Sequence, residues 1–256
     1  MTVFLTFGDA RFEGALRRIE REAAASGFFD ELRIRRPRDL GRAFWRKHGR
    51  FVSANRRGYG YWIWKPWLVL DALVACQPDE ILVYADAGCT INGNGRKRFD
   101  DYRRLVEGTP SGVMGFQLEL GERRYTKGDA FEALHAWHLK DTPQVVTTAI
   151  LWRRCESSIE FAREWLTLAE SYNLISDVPS VVRNDPAFVE HRHDQSLFSL
   201  LAKLRGGAIV GDETALGDGS DAVPFLASRL KGRPRGPLRT IRRNLGVLGQ
   251  RLRHLL

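Results

Sequence analysis

Apolar positions along the chain switch between a period of two and a period near 3.6, and the switching outlines alternating strands and helices. Thr2 to Phe7 alternates β-branched and aromatic residues and stops at Gly8-Asp9, a strand and a turn. Ala10 to Ser26 carries Phe12, Leu16, Ile19 and Ala23 at helical spacing, and Gly27 supplies the stop. A short strand at Leu32–Ile34 and a helix around Asp39–His48 follow. Pro66 at a first helical turn, with Trp67, Leu70, Leu73 and Val74 behind it, predicts the next helix. The continuous apolar run Ile81 to Ala85, ending on Asp86-Ala87-Gly88, has the form of a central strand buried on both faces. Beyond it the pattern predicts helices over 97–107, 130–138, 157–171 and from Asp194, with strands over 112–120, 145–152 and 210–216. Leu197, Leu200, Leu201 and Leu204 are the expected apolar face of the helix from Asp194. Strands alternating with helices imply an α/β domain with a central sheet flanked by helices.

Charge changes this picture at one end. The formal net charge is +9 in 256 residues. Nine basic residues and no acid lie from Arg229 onward, so residues 1–228 hold 31 of each sign. A neutral body does not suggest a nucleic-acid-binding fold. The tail, 232–256, places Leu238, Ile241, Leu245, Leu248, Leu252 and Leu255 at steps of three and four among arginines. That is a basic amphipathic helix, suited to an anionic membrane surface or to packing against the body or a partner. Three cysteines, Cys76, Cys89 and Cys155, lack CxxC spacing and indicate a reducing compartment. No window is apolar enough for a transmembrane helix and no signal peptide is apparent, so the expected location is cytoplasmic, peripheral on the inner face of the plasma membrane.

Three stretches carry candidate chemistry. Ligands of open α/β sheets bind outside the carboxyl ends of the strands, which is where Asp86 falls. Strand, glycine turn and helix at the N-terminus open a nucleotide-binding unit, although no P-loop or dinucleotide fingerprint is present. The run Arg56-Arg57-Gly58-Tyr59-Gly60-Tyr61-Trp62-Ile63-Trp64-Lys65-Pro66-Trp67 combines glycines, aromatic faces and cations. Such a run can shape a nucleotide pocket, or form an aromatic packing corner. Lys65 is expected at a helix N-terminus, where a cation and the helix dipole favour phosphate. The run His191-Arg192-His193-Asp194-Gln195 gathers polar groups at a helix start, aimed at a ligand or serving as a cap. His135 and His138 share a predicted helix face but lack further metal ligands at matching spacing.

Taken in order, Tyr84-Ala85-Asp86-Ala87-Gly88, Thr147-Thr148-Ala149-Ile150-Leu151 and Asp194-Gln195 resemble the motifs of GT-A-fold glycosyltransferases. The likeness is to the glycogenin-like and lipopolysaccharide galactosyltransferase-like retaining enzymes, over about residues 1–231. It implies a single GT-A-like, Rossmann-like domain with a mixed central sheet. It further implies a nucleotide-diphosphate-sugar donor, most simply a UDP-sugar, and a glycan or lipid-linked acceptor in bacterial surface polysaccharide synthesis. In the roles it implies, Asp86 binds a metal–diphosphate or ribose, and Lys65 the diphosphate. Tyr59, Tyr61 and Trp64 shape the donor pocket, with His193 and Arg229 as further donor contacts. Lys127 and Asp129 touch the donor sugar or phosphate. Asp194 positions the sugar or acts as base, with Gln195 beside the anomeric carbon. The second carboxylate of the family's DxD motif is Gly88 here, and its late metal-binding histidine motif is missing. Either Asp86 takes Mn²⁺ or Mg²⁺ with water ligands, the favoured expectation, or Lys65, Lys127, Arg229 and Lys231 form a cationic clamp. The competing readings are a non-catalytic nucleotide-sugar or polyanion-binding protein with a degenerate DxD site, and a nucleotidyltransferase.

Overall fold

The computed structural model describes residues 1–215 and 222–228. Eight strands are present there: β1 (Thr2–Phe7), β2 (Glu31–Arg35), β3 (Ile81–Ala85), β4 (Thr90–Ile91), β5 (Val113–Gly121), β6 (Pro143–Arg153), β7 (Ala208–Gly211) and β8 (Phe225–Leu226). Six form one sheet in the order β2-β1-β3-β6-β5-β7, and β4 pairs with β8. β2, β1 and β3 are mutually parallel, β6 runs antiparallel to both β3 and β5, and β7 is parallel to β5. The sheet is therefore mixed, with β6 the one reversed strand.

Among the described residues six longer helices cover it: α1 (Glu13–Ser26), α2 (Gly41–Ala54), α3 (Trp64–Ala75), α4 (Arg96–Gly108), α5 (Glu156–Glu170) and α6 (Asp194–Leu204). Side chains alternate across a strand, so each strand feeds two cores. Val3, Leu5, Phe7, Leu82 and Tyr84 pack with α2, α3, α5 and α6. Phe4, Ile81, Val83 and Ala85 pack with Ile19 and Ala23 of α1 and Phe99, Tyr102 and Val106 of α4. Every residue of β3 is at most 1% exposed, as its uninterrupted apolar run requires.

Two expected elements differ. The helix over 130–138 stops early, spanning Gly128–Ala133, because His135 turns to φ +49° and the chain doubles back through a single turn at Trp137–Leu139. Stacking of Phe131 on Trp137, centroids 4.8 Å apart, fixes that reversal, so His135 and His138 are exposed and share no helix. The last strand of the sheet spans Ala208–Gly211 rather than running on to 216, because Asp212 accepts hydrogen bonds from the amide and hydroxyl of Thr214 and starts a turn. Leu204, expected on the apolar face of α6, is 39% exposed. A buried carboxylate that the apolar pattern did not signal, Glu122, ties α6 to the sheet. It accepts from Lys203 Nζ at 2.6 Å, Gln144 Nε2 at 3.1 Å and Ser199 Oγ. All three cysteines are free. The basic tail, with Arg229 and Lys231, lies outside the described residues.

Candidate functional site

A cleft of about 550 Å³ opens at the carboxyl ends of β1 and β3, the position that α/β topology favours for a ligand. Its walls come from three places. Phe7 ends β1 and Gly8, Asp9, Arg11 and Phe12 follow it, Arg56 to Tyr59 and Trp62 precede α3 and Trp64 opens it, and Asp86 to Cys89 follow β3. Thr148 of β6 and Ala227 complete the lining. The turn after Asp86 is held from outside: Arg18 of α1 donates to the Ala87 carbonyl at 3.0 Å and to Thr90 Oγ1 at 3.1 Å.

The aromatic wall has an unusual backbone. Gly58, Tyr59, Gly60, Tyr61 and Trp62 all have φ between +52° and +85°. Tyr61 N–H donates to the Arg57 carbonyl at 2.8 Å and Trp62 N–H to the Gly58 carbonyl at 3.1 Å, so the stretch is one turn of left-handed helix. Gly58 and Gly60 adopt this hand freely, but Tyr59, Tyr61 and Trp62 each lose about 1–2 kcal/mol. Packing offsets the strain. Trp64 stacks on Phe7 at 4.1 Å between centroids, and its indole N–H donates to the Gly58 carbonyl at 3.0 Å. The turn presents Tyr59 and Trp62 to the cleft. Tyr61 instead lies against the His193 ring at 4.8 Å and is not part of the cleft lining.

Lys65 is not at a phosphate-facing surface. It sits in the first turn of α3, 2% exposed, with its ammonium 3.2 Å from Asp86 Oδ1 and 3.3 Å from Asp194 Oδ2. It also donates to the Thr147 carbonyl at 3.1 Å. Burial works against its charge, but the carboxylates of Asp194 and Asp86 outweigh that and lift its pKa above the ordinary lysine value. Asp194 is pushed the other way for an acid: burial raises its pKa despite Lys65 and the Thr147 hydroxyl, which donates to it at 2.9 Å. Asp86 bridges this buried network to the cleft. The Tyr84 hydroxyl donates to Asp86 Oδ1 at 2.6 Å, and the Asp86 side chain remains 36% exposed.

The other expected site residues spend their polar atoms on the chain itself. Gln195 donates to Gln144 Oε1 at 2.8 Å. Lys127 donates to the carbonyls of Val178, at 3.1 Å, and Asn173. Asp129 accepts from the amides of Val182 at 2.7 Å and Val181 at 3.2 Å. Together they pin the segment 173–182. His193 directs Nδ1 to the Ile175 carbonyl at 2.7 Å and stacks on Trp62 with centroids 5.5 Å apart, so it backs the cleft wall. His191 accepts from Lys127 N–H at Nδ1 and donates from Nε2 to the Leu174 carbonyl, and burial pushes its pKa far down. Of the expected residues, Tyr59, Trp64 and Asp86 line the cleft, while Lys65, Asp194 and His193 stand behind it. Gln195, Lys127 and Asp129 are not among the lining residues.

Sequence reasoning passed over Arg11, Arg56, Arg57 and Trp62, although the last three stand in the run it singled out. The signal available for Arg11 was its place two residues after Asp9, at the carboxyl end of β1. Among the described residues, no three His, Cys, Asp or Glu side chains come together to hold a metal ion. The donor set at the cleft is poor for one. Asp86 Oδ1 already takes Tyr84 and Lys65, and both oxygens of Asp9 are bound by Arg11.

No family model matches the chain, and no curated protein matches it. Solved structures do overlap it, two of which follow. One is mouse xyloside xylosyltransferase 1 in its apo form, at 12% identity and a TM-score of 0.45 over 92% of this chain and 95% of that one. The other is a glycosyltransferase involved in glycosylating the major capsid of PBCV-1, at 10% identity and a TM-score of 0.47 over 88% and 92%. At these scores neither bears on what the cleft does.

Proposed function

We propose that the protein is a glycosyltransferase that takes a sugar from a nucleotide-diphosphate sugar, a UDP-sugar first among them, in the cleft between β1 and β3. One observation carries the reading. A cleft at the carboxyl ends of parallel strands combines Tyr59, Trp62 and Trp64 with Arg11, Arg56 and Arg57 and a carboxylate, Asp86, on its floor. Aromatic faces suit a base or sugar ring, guanidinium groups suit a diphosphate, and a half-exposed carboxylate suits sugar or ribose hydroxyls. Breaking the sugar–phosphate bond puts charge on the leaving diphosphate, so cations must face it. Asp194 then acts through Lys65, by fixing Asp86, rather than as a base on the sugar. Asp194 and Gln195, whose likeness to retaining enzymes implied retention of configuration, do not line the cleft and give that expectation no support. The acceptor is a glycan or lipid-linked sugar of a bacterial surface polysaccharide. The 232–256 tail holds the enzyme at the inner face of the plasma membrane, so a 1–230 truncation should lose binding to anionic vesicles.

The test is a thermal-shift panel of UDP-, GDP-, CMP- and dTDP-sugars followed by a transfer assay with the nucleotide that binds. At about 100 times its Kd a ligand adds roughly 2.7 kcal/mol of stability, a readily visible rise in Tm. Absence of a shift with all four would defeat the reading. A second reading, a nucleotide-sugar-binding protein without activity, is favoured by the burial of Asp194 and the engagement of Gln195 with Gln144. Binding without transfer or hydrolysis would select it.

A further inference from the structure

We infer that the cleft neutralises a bound diphosphate with arginines, Arg56 foremost, and needs no divalent cation to do so. The inference rests on the nucleotide reading of the cleft and goes beyond it by naming what holds the phosphates. It starts from Lys65. Two carboxylates that could have flanked a cation at the end of β3, Asp86 and Asp194, already flank one: the Lys65 ammonium lies 3.2 and 3.3 Å from them. Gly88 puts no oxygen where a second side-chain ligand would follow Asp86. Among the described residues the one other carboxylate lining the cleft, Asp9, has Oδ1 on the Arg11 amide and Oδ2 on its guanidinium. A dication entering the cleft would therefore find Asp86 Oδ2, with a fixed positive charge bound to the same carboxylate. Such an ion is held by one or two carboxylates along with phosphates and water, and the described lining offers one carboxylate oxygen that is not already engaged, beside a fixed ammonium.

The same lining is well supplied with protein cations. Arg11, Arg56 and Arg57 all face the cleft. Arg57 is committed in part, 3.0 Å from Asp177 Oδ2 and 3.5 Å from Glu190 Oε2. Arg56 is exposed, and among the described residues no acidic side chain pairs with it. It stands two residues before Gly58, where the left-handed turn begins, and its carbonyl accepts from the Tyr59 amide at 3.3 Å. A planar guanidinium donates two parallel hydrogen bonds to phosphate oxygens without a metal bridge.

The experiment titrates UDP, GDP, CDP and dTDP into the full-length chain by calorimetry, once in EDTA and once in Mn²⁺. The wild type is compared with Arg56→Ala, and far-UV circular dichroism confirms that the exposed substitution leaves the fold intact. Support is binding of one nucleotide in EDTA with a Kd within about threefold of that in Mn²⁺, weakened roughly ten- to a hundredfold by R56A. Binding that requires Mn²⁺, or that R56A leaves unchanged, overturns the inference while the nucleotide reading stands. No binding under either condition overturns both.

Discussion

Replacing Lys65 by methionine isolates what the buried cation does. The substitution keeps most of the side chain's volume and removes the ammonium from between Asp86 and Asp194. Asp86 is 36% exposed and can turn to water, so its loss is small. Asp194 is 3% exposed and is left with the Thr147 hydroxyl. If it stays ionised it is a buried charge without a partner, which costs about 3–5 kcal/mol. If it instead takes up a proton, the cost is set by its ordinary pKa of 3.8. At about 1.4 kcal/mol per pH unit, the gap between 3.8 and 7 gives about 4 kcal/mol, and the gap between 3.8 and 5 about 2. Protonation sets the ceiling, so K65M should be about 4 kcal/mol less stable than wild type at pH 7 and about 2 at pH 5. The sign follows from the acid's raised folded pKa. The folded variant holds a proton that the unfolded chain has released, so its stability falls as pH rises from 3.8 toward the folded pKa. Urea unfolding of both proteins at the two pH values measures the differences, and K65M/D194N should recover most of the loss because a neutral amide needs no counterion. A deficit below about 1 kcal/mol at pH 7, an equal deficit at both pH values, or no rescue by D194N would refute the reasoning.

Two further outcomes follow from the geometry. Gly60→Ala should lower stability by about 2 kcal/mol or more and weaken nucleotide binding, because φ is +85° and the new Cβ would lie 2.8 Å from Val52 Cγ2. Gly108→Ala, where a Cβ meets nothing within 4 Å, is the control and should leave Tm level or slightly higher. Glu122→Gln should cost about 3 kcal/mol at pH 7, since it strands the Lys203 ammonium, whose pKa burial already holds below its ordinary value. The unfolded chain then binds the extra proton, so E122Q should regain stability as pH rises from 7 to 9 in chemical denaturation.

The strand-and-helix order was legible because it depends on local periodicity. β1 and β3 carry the boundaries their apolar runs announce, and Gly27 closes α1 in the left-handed conformation that a C-terminal glycine supplies. The placement of Asp86 at a strand's carboxyl end, and hence the location of the cleft, followed from the same pattern. The helix expected over 130–138 failed because His135 takes a positive φ and Trp137 folds back to stack on Phe131, a reversal that apolar periodicity does not encode.

What the sequence by itself determined, then, is the alternating architecture, the buried central strand, and the fact that the run from Arg56 to Trp67 stands apart in composition. What the tertiary structure alone decided is the division of labour inside that run. Lys65 turned inward because Asp194, 129 positions later in sequence, arrives from α6 with a carboxylate that must be neutralised, and burial makes that demand stronger than any pull toward solvent. Arg56 and Trp62 faced the cleft because five successive residues took the left-handed hand, a choice that Gly58 and Gly60 permit and that the stacking of Trp64 on Phe7 holds in place. The Lys65–Asp194 pair and the Trp64–Phe7 stack join residues far apart in sequence, and no local window contains both partners of either.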